Sequence, residues 1–182
     1  MKQFHDLEFD IPNNYSFVDK DNYLEFRKAS IGHIDSWLIP PWQEFIIDGS
    51  FGLIFNPENV EMHKDDEGSY ATIKEHIILN YGNHAYPTIS EEEYLANFKT
   101  MQNMQPNSEL LKCEISTIAP LSKYSIYEEK KLKSFNTYSL HFFTSKESNK
   151  GCVVTLYSYL HNDAVELSKE NFNKILNSIE IK

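Results

Sequence analysis

Apolar positions along this chain fall mostly into short alternating runs, with two stretches of helical spacing. "LEFDIP" and "YLEFRKA" are runs of Leu, Phe, Ile and Tyr separated by "NNYSFVDKDN", whose Asn and Asp residues favour a turn, so they are expected as the first two strands. "GLIFNP" is expected as a third, ended by Pro57, which cannot donate to a ladder. "YATIKEHIILNYG" sets Ala71, Ile73, Ile77, Leu79 and Tyr81 on one parity and Thr72, Lys74, His76 and Asn80 on the other, with Glu75 and Ile78 as exceptions, a strand with one wet face. "ELLKCEISTIAP" alternates again, placing Leu111, Cys113 and Ile115 opposite Lys112, Glu114 and Ser116, with Cys113 a buried, reduced thiol. "KYSIYEEKKLK" is expected to be strand up to Glu128 and then a charged turn.

The longest-range pattern is "FNTYSLHFFTSKESNKGCVVTLYSYLHND", a hairpin whose polar middle spans residues 145–151. Pairing residues whose numbers sum to about 296 sets Phe142 opposite Val154 and Leu140 opposite Leu156. One face then carries Tyr138, Leu140, Phe142, Cys152, Val154, Leu156 and Leu160 and reads as core. The reverse face carries Phe143, Val153, Tyr157 and Tyr159 among Ser139, His141, Thr155 and His161, too aromatic to be simply wet, so something is expected to cover part of it.

Helical spacing appears in "TISEEEYLANFKTMQNMQP", where Ser90 and Glu93 form a capping box, Ile89 can staple against Tyr94, and Tyr94, Leu95, Phe98 and Met101 make one stripe before Pro106. It recurs at the end in "ELSKENFNKILNSIEIK", with Phe172, Ile175, Leu176 and Ile179 behind a cap at Ser168. Together these elements predict an α+β fold: a mainly antiparallel sheet with helices packed on it, α/β/α sandwich-like, with a C-terminal helix after a long hairpin. A single domain over 1–182 is expected, carrying a loop-rich insertion at about 32–68; the polar, acidic residues 56–69 read as a surface loop.

Composition narrows the class of function. The 12 Phe, 11 Tyr and 2 Trp favour a sheet-rich fold, and 27 acidic against 17 basic residues give a net charge of −10, which repels nucleic acid and anionic membranes. The charged start "MKQFHDLEFD" does not read as a signal peptide, and no run reaches membrane-spanning length, so a cytoplasmic location is expected.

Two stretches carry a family resemblance. "FDIPNNYSF" near the start, and the long hairpin followed by "ENFNKILNSIEI", resemble the PsbP-like family, which also includes the Ran-binding nuclear import factor and bacterial secretion chaperones. Tyr15 stands where members often place a Trp, and the insertion at 32–68 is longer than the family pattern. The resemblance implies an antiparallel sheet between helical layers and a role in protein binding, and it transfers no functional residue.

Candidate chemistry is sparse. His63, Asp65, Asp66 and Glu67 lack the spaced oxygens of a cation loop, and His76 and His84, facing across a strand end, lack a second ligand pair for zinc. His141 with Ser139 and Tyr157 makes a polar cluster without a nucleophile elbow or oxyanion donors, and the acidic pairs at Glu91 and Glu93 and at Glu128 and Glu129 suit a helix start and a charged turn. No catalytic residue, metal or cofactor is expected, and the chain is read as a non-enzyme.

"DSWLIPPWQEFIID" holds both tryptophans and has no clean period; its prolines favour an extended segment. It reads either as a lid packed on the aromatic reverse face through Trp37, Ile39, Trp42 and Phe45 or as a partner-binding surface. Candidate binding residues are therefore Trp37, Pro40, Pro41, Trp42, Phe45, Tyr157 and Tyr159. The leading expectation is a protein-binding chaperone, adaptor or immunity-type inhibitor whose partner is another protein. The alternatives are a small-molecule or lipid-binding module with an aromatic pocket, extending to a cryptic hydrolase, and a self-associating structural subunit such as a homodimer.

Overall fold

The structure, a computed structural model, describes residues 1–25, 42–65, 68–117, 123–159 and 163–182. In chain order its elements are β1 (Lys2–Phe4), β2 (Leu7–Phe9), β3 (Ser16–Val18), α1 (Trp42–Ile47), β4 (Phe51–Phe55), β5 (Val60–Asp65), β6 (Gly68–Ile73), β7 (Glu75–Asn83), α2 (Glu91–Asn103), β8 (Ser108–Ile115), β9 (Ile126–Leu132), β10 (Asn136–Ser145), β11 (Lys150–Ser158), α3 (Asp163–Asn177) and β12 (Glu180–Ile181). A seven-stranded sheet runs β3-β4-β7-β11-β10-β9-β8, with antiparallel pairing throughout; β1-β2-β12 and the β5-β6 hairpin form two smaller sheets. The expected α+β class with a C-terminal helix after a long hairpin is the architecture observed. No helix among the described residues is long and apolar enough to cross a membrane.

The expected core face of the hairpin is buried. Tyr138, Leu140, Phe142, Cys152, Val154 and Leu156 join Ile54, Ile77 and Leu79 beneath Phe172, Ile175 and Leu176 of α3 and Phe4, Leu7 and Phe9 of the small sheet; Leu160 lies outside the described residues. A fully buried ring such as Phe172 contributes about 2–3 kcal/mol through removal from water. The register differs from the expected one: Leu140 pairs Val154 and Phe142 pairs Cys152, a slip of two residues. Because side chains repeat every second residue, a slip of two leaves each on its face. The slip arises at the tip, where an irregularity between Phe143 and Ser145 lets Ser145 pair with Lys150.

Other expectations are corrected by tertiary packing. Ser16–Val18 is a strand within the expected turn, and Tyr23–Glu25 is helical where "YLEFRKA" was expected to be extended. Asp19 explains the second change: its Oδ1 accepts from Asp21 N and Asn22 N, and its carbonyl accepts from Tyr23 N, which starts a helical turn. Of the residues expected as a surface loop, Pro57–Asn59 form a 3-10 turn, and Val60–Asp65 with Gly68 and Ser69 belong to the β5-β6 hairpin. Strand β7 has no wet face over residues 75–79, because helices and the terminal layer cover both sides of the sheet. Strand β9 continues to Leu132 instead of turning after Glu128, since it pairs with both β8 and β10.

In β8 a bulge between Leu110 and Lys112 turns Leu111 outward, leaving it 53% exposed, while Cys113 stays inside. Ser90 caps α2 as expected, its Oγ accepting from Glu93 N at 3.2 Å, but the buried positions are Phe98 and Gln102, and Met101 faces water. Ser168 is no cap: α3 begins at Asp163, and Val165, Ser168, Phe172 and Ile175 share its inward stripe. The segment expected to be extended and aperiodic turns into helix at Trp42–Ile47; its earlier part lies outside the described residues.

Candidate functional site

The second face of the main sheet holds the residues with chemical character. Two covers protect it at separate places. Phe98 of α2, flanked by Tyr94 and Leu95, packs with Cys113 and Ile126, whereas Tyr23 and Ile46 pack on Leu53, Phe55 and Ile78. Over β9, β10 and β11 an open cleft of about 230 Å³ remains. Its floor is built by alternation: Glu128 and Lys130 from β9, Thr137, Ser139 and His141 from β10, and Val153, Thr155 and Tyr157 from β11.

The floor is internally paired. His141 Nε2 donates to Glu128 Oε1 at 2.9 Å, and Lys130 Nζ lies 3.2 Å from Glu128 Oε2 while donating to Gln105 Oε1 at 3.2 Å. Burial raises the Glu128 carboxyl's proton affinity, but the His141 hydrogen bond and the charges of His141 and Lys130 outweigh it, so the group is held below its ordinary range. The Ser139 and Thr155 hydroxyls bond each other at 2.9 Å. Ser139 thus shares a face with His141 but bonds Thr155, and His141 bonds a carboxylate. This arrangement neutralises a buried charge and does not activate the serine. Edge-on contact with Phe98, ring centroids 4.9 Å apart, fixes the imidazole plane.

Aromatic side chains make the rim. Tyr157 stacks on His76 with ring centroids 5.0 Å apart, and desolvation lowers the His76 pKa to about 4. Phe135 bridges Tyr157 and Tyr159 at 6.0 and 4.8 Å, and Tyr159 is 37% exposed. Phe45, equally exposed, leans on Phe51 at 4.8 Å, and Phe51 packs on the same apolar cluster as Tyr157. The structure therefore gathers Tyr157 with Tyr159 and connects Phe45 to them through that cluster. Trp37, Pro40 and Pro41 lie outside the described residues, and of Trp42 only the backbone, opening α1, is described. Sequence reasoning missed Glu128, Lys130 and Gln105. The available signal was the extension of the Ile126 parity through Glu128 to Lys130.

The remaining candidates are dispersed. His76 and His84 sit at opposite ends of the β7 run and do not face each other. His63 and Asp65 lie on β5, and Asp66 and Glu67 fall outside the described residues. Among the described residues no three His, Cys, Asp or Glu side chains gather as a metal site. Cys113 and Cys152 are free and buried, and burial pushes both thiols up.

Neither a family model nor a curated protein matches the sequence. Solved structures do match. The Ran-binding protein Mog1p of Saccharomyces cerevisiae superposes with a TM-score of 0.50 at 9% identity, over 97% of this chain and 90% of that one. The cyanobacterial PsbP of Synechocystis sp. PCC 6803 aligns at 8% identity over 73% of this chain and 87% of that one, with a TM-score of 0.37. The chain thus resembles Mog1p in fold, as the sequence motifs at its two ends implied, and at this identity the likeness concerns architecture alone.

Proposed function

We propose that this chain is a non-enzymatic protein-binding domain, and that the aromatic rim of the second sheet face is its contact surface. The observation that carries the reading is the rim itself: Tyr159 and Phe45 are each 37% exposed and backed by packed rings at Phe135 and Phe51. Large, rigid side chains that keep open area while anchored from behind suit the centre of a protein interface. The cleft bordered by Phe135 and Tyr157 is open and its floor ion-paired, which favours a broad partner over an enclosed small ligand. A structural neighbour of the same fold, Mog1p, is a Ran-binding protein. Trp37, Pro40, Pro41 and Trp42 extend the proposed surface along the sequence from Phe45. Within this class the chain acts in the cytoplasm as a chaperone, adaptor or immunity-type inhibitor.

The test is a partner co-purified with the chain, identified, and then titrated in purified form. Phe45→Ala/Tyr159→Ala should weaken binding by about tenfold or more, with a melting temperature close to wild type because both side chains are partly exposed. A partner indifferent to the double variant, or repeated recovery of no partner under gentle conditions, would count against the proposal.

A further inference from the structure

At the hairpin-tip end of the same sheet face lies a second groove, of about 520 Å³, lined by Tyr86, Pro87, Thr88, Lys123, Tyr124, Lys146 and Asn149. Its walls are fixed from several directions. Asn149, at φ 50°, accepts from Tyr86 N through Oδ1 at 3.2 Å and from His84 N through its carbonyl at 2.7 Å. Tyr124 donates its hydroxyl proton to the Ile89 carbonyl at 2.7 Å. Tyr86 and Tyr124 meet edge to face at 5.4 Å, and both contact Phe143 from below.

Two cations stand over these rings. Lys146 Nζ lies 5.7 Å from the Tyr86 centroid and Lys123 Nζ 5.5 Å from that of Tyr124. Lys146 makes no ion pair among the described residues, and Lys123, 61% exposed at its side chain, has only a long contact to Glu91 at 3.8 Å. On a chain whose net charge is −10, a tethered aromatic groove flanked by two accessible ammoniums is a local reversal of sign.

We infer that this groove docks an acidic segment of a partner protein, with carboxylates against Lys123 and Lys146 and an apolar side chain on the Tyr86–Tyr124 pair. The inference rests on the protein-binding reading above and adds the charge and place of a second contact. The rest of the acidic surface repels such a segment, so the two lysines fix where it docks.

The experiment is fluorescence anisotropy with a fluorescein-labelled dodecapeptide alternating Glu with Tyr, beside a matched peptide carrying Gln for Glu. Saturable binding of the Glu peptide is expected, falling severalfold between about 20 and 200 mM salt. It should fall by about tenfold or more in Lys123→Glu/Lys146→Glu and return in Lys123→Arg/Lys146→Arg. The charge-matched Lys133→Glu/Lys174→Glu, away from the groove, should bind as wild type, and circular dichroism melts check that each variant folds. Equal binding of the Gln peptide, equal loss in both charge-reversal variants, or no saturable binding would overturn the inference. So would phosphatidylserine vesicles that bind through the same lysines while the peptide does not. If the purified partner still depends on Phe45 and Tyr159 while the peptide fails, the groove proposal falls and the wider reading stands.

Discussion

Glu128 is 3% exposed and lies between a lysine and a histidine at hydrogen-bonding distance. Removing it leaves Lys130 and His141 without their shared acceptor in a half-covered cleft, so Glu128→Ala should destabilise by about 3 kcal/mol, and Glu128→Gln, which keeps an acceptor for His141, by about 1–2 kcal/mol. Its folded proton affinity is lowered, so its contribution is complete above the ordinary value of 4.5 and is lost as pH falls through the folded value. Thermal melts from pH 7 to 3 should show Glu128→Gln losing part of that acid limb. His76 acts at a higher pH. Buried and held near 4, it stays neutral while the unfolded chain protonates, so stability is full above 6.5 and declines as pH falls towards 4. His76→Phe should flatten the melting-temperature slope across that window, and an unchanged slope would show that the ring is not desolvated. The shared face of Ser139, His141 and Tyr157 was legible in the alternation of β10 and β11. Their neighbour Glu128 was not, because "EEKK" alone reads as a solvated turn and only pairing on both sides makes it a strand.

Elements whose determinants are local were the readable ones. The cap of α2 follows from Ser90 and the residues just after it, and Ser90→Ala should cost about 1 kcal/mol in denaturant titration, with Ser90→Asp retaining most of the stability. The inward side of that helix was harder to read, since it depends on where the sheet lies: Gln102 is buried and Met101 is not. Parity of the long hairpin was legible but its register was not, because the tip irregularity near Thr144 consumes residues that no periodicity records. Strands of two or three residues, such as β1, β3 and β12, are too short to show a period at all. The bulge at Leu111 escaped for a related reason: alternation predicts an unbroken edge strand, and the interruption appears only in pairing with β9.

At the scale of the molecule, three layers follow from a sheet with two apolar faces. The α3 side was legible because its residues are almost purely aliphatic and aromatic. The opposite side was legible only as "partly covered", because its two apolar clusters are separated by polar floor. Unequal cover implies unequal local stability. Native-state hydrogen exchange should find the β10 and β11 amides protected up to the global unfolding free energy, with the β1-β2-β12 amides opening at least about 2 kcal/mol below it. Uniform protection of both sheets would contradict this.

The strand order also has a consequence for how the chain is made. β8, β9, β10 and β11 are neighbours in sequence and in space, so they can pair as soon as each is synthesised, with little loop-closure entropy to overcome. The small sheet is the opposite case, because β2, which pairs with β1 at once, finds its second neighbour only in β12, where Ile181 meets Leu7. Until α3 and β12 are made, Phe4, Leu7 and Phe9 therefore lack part of their cover and leave an apolar stretch open. The last turn of α3 and β12 end that exposure, so slow translation or stalling between β11 and β12 should leave a species prone to aggregate although most of its main sheet is already formed.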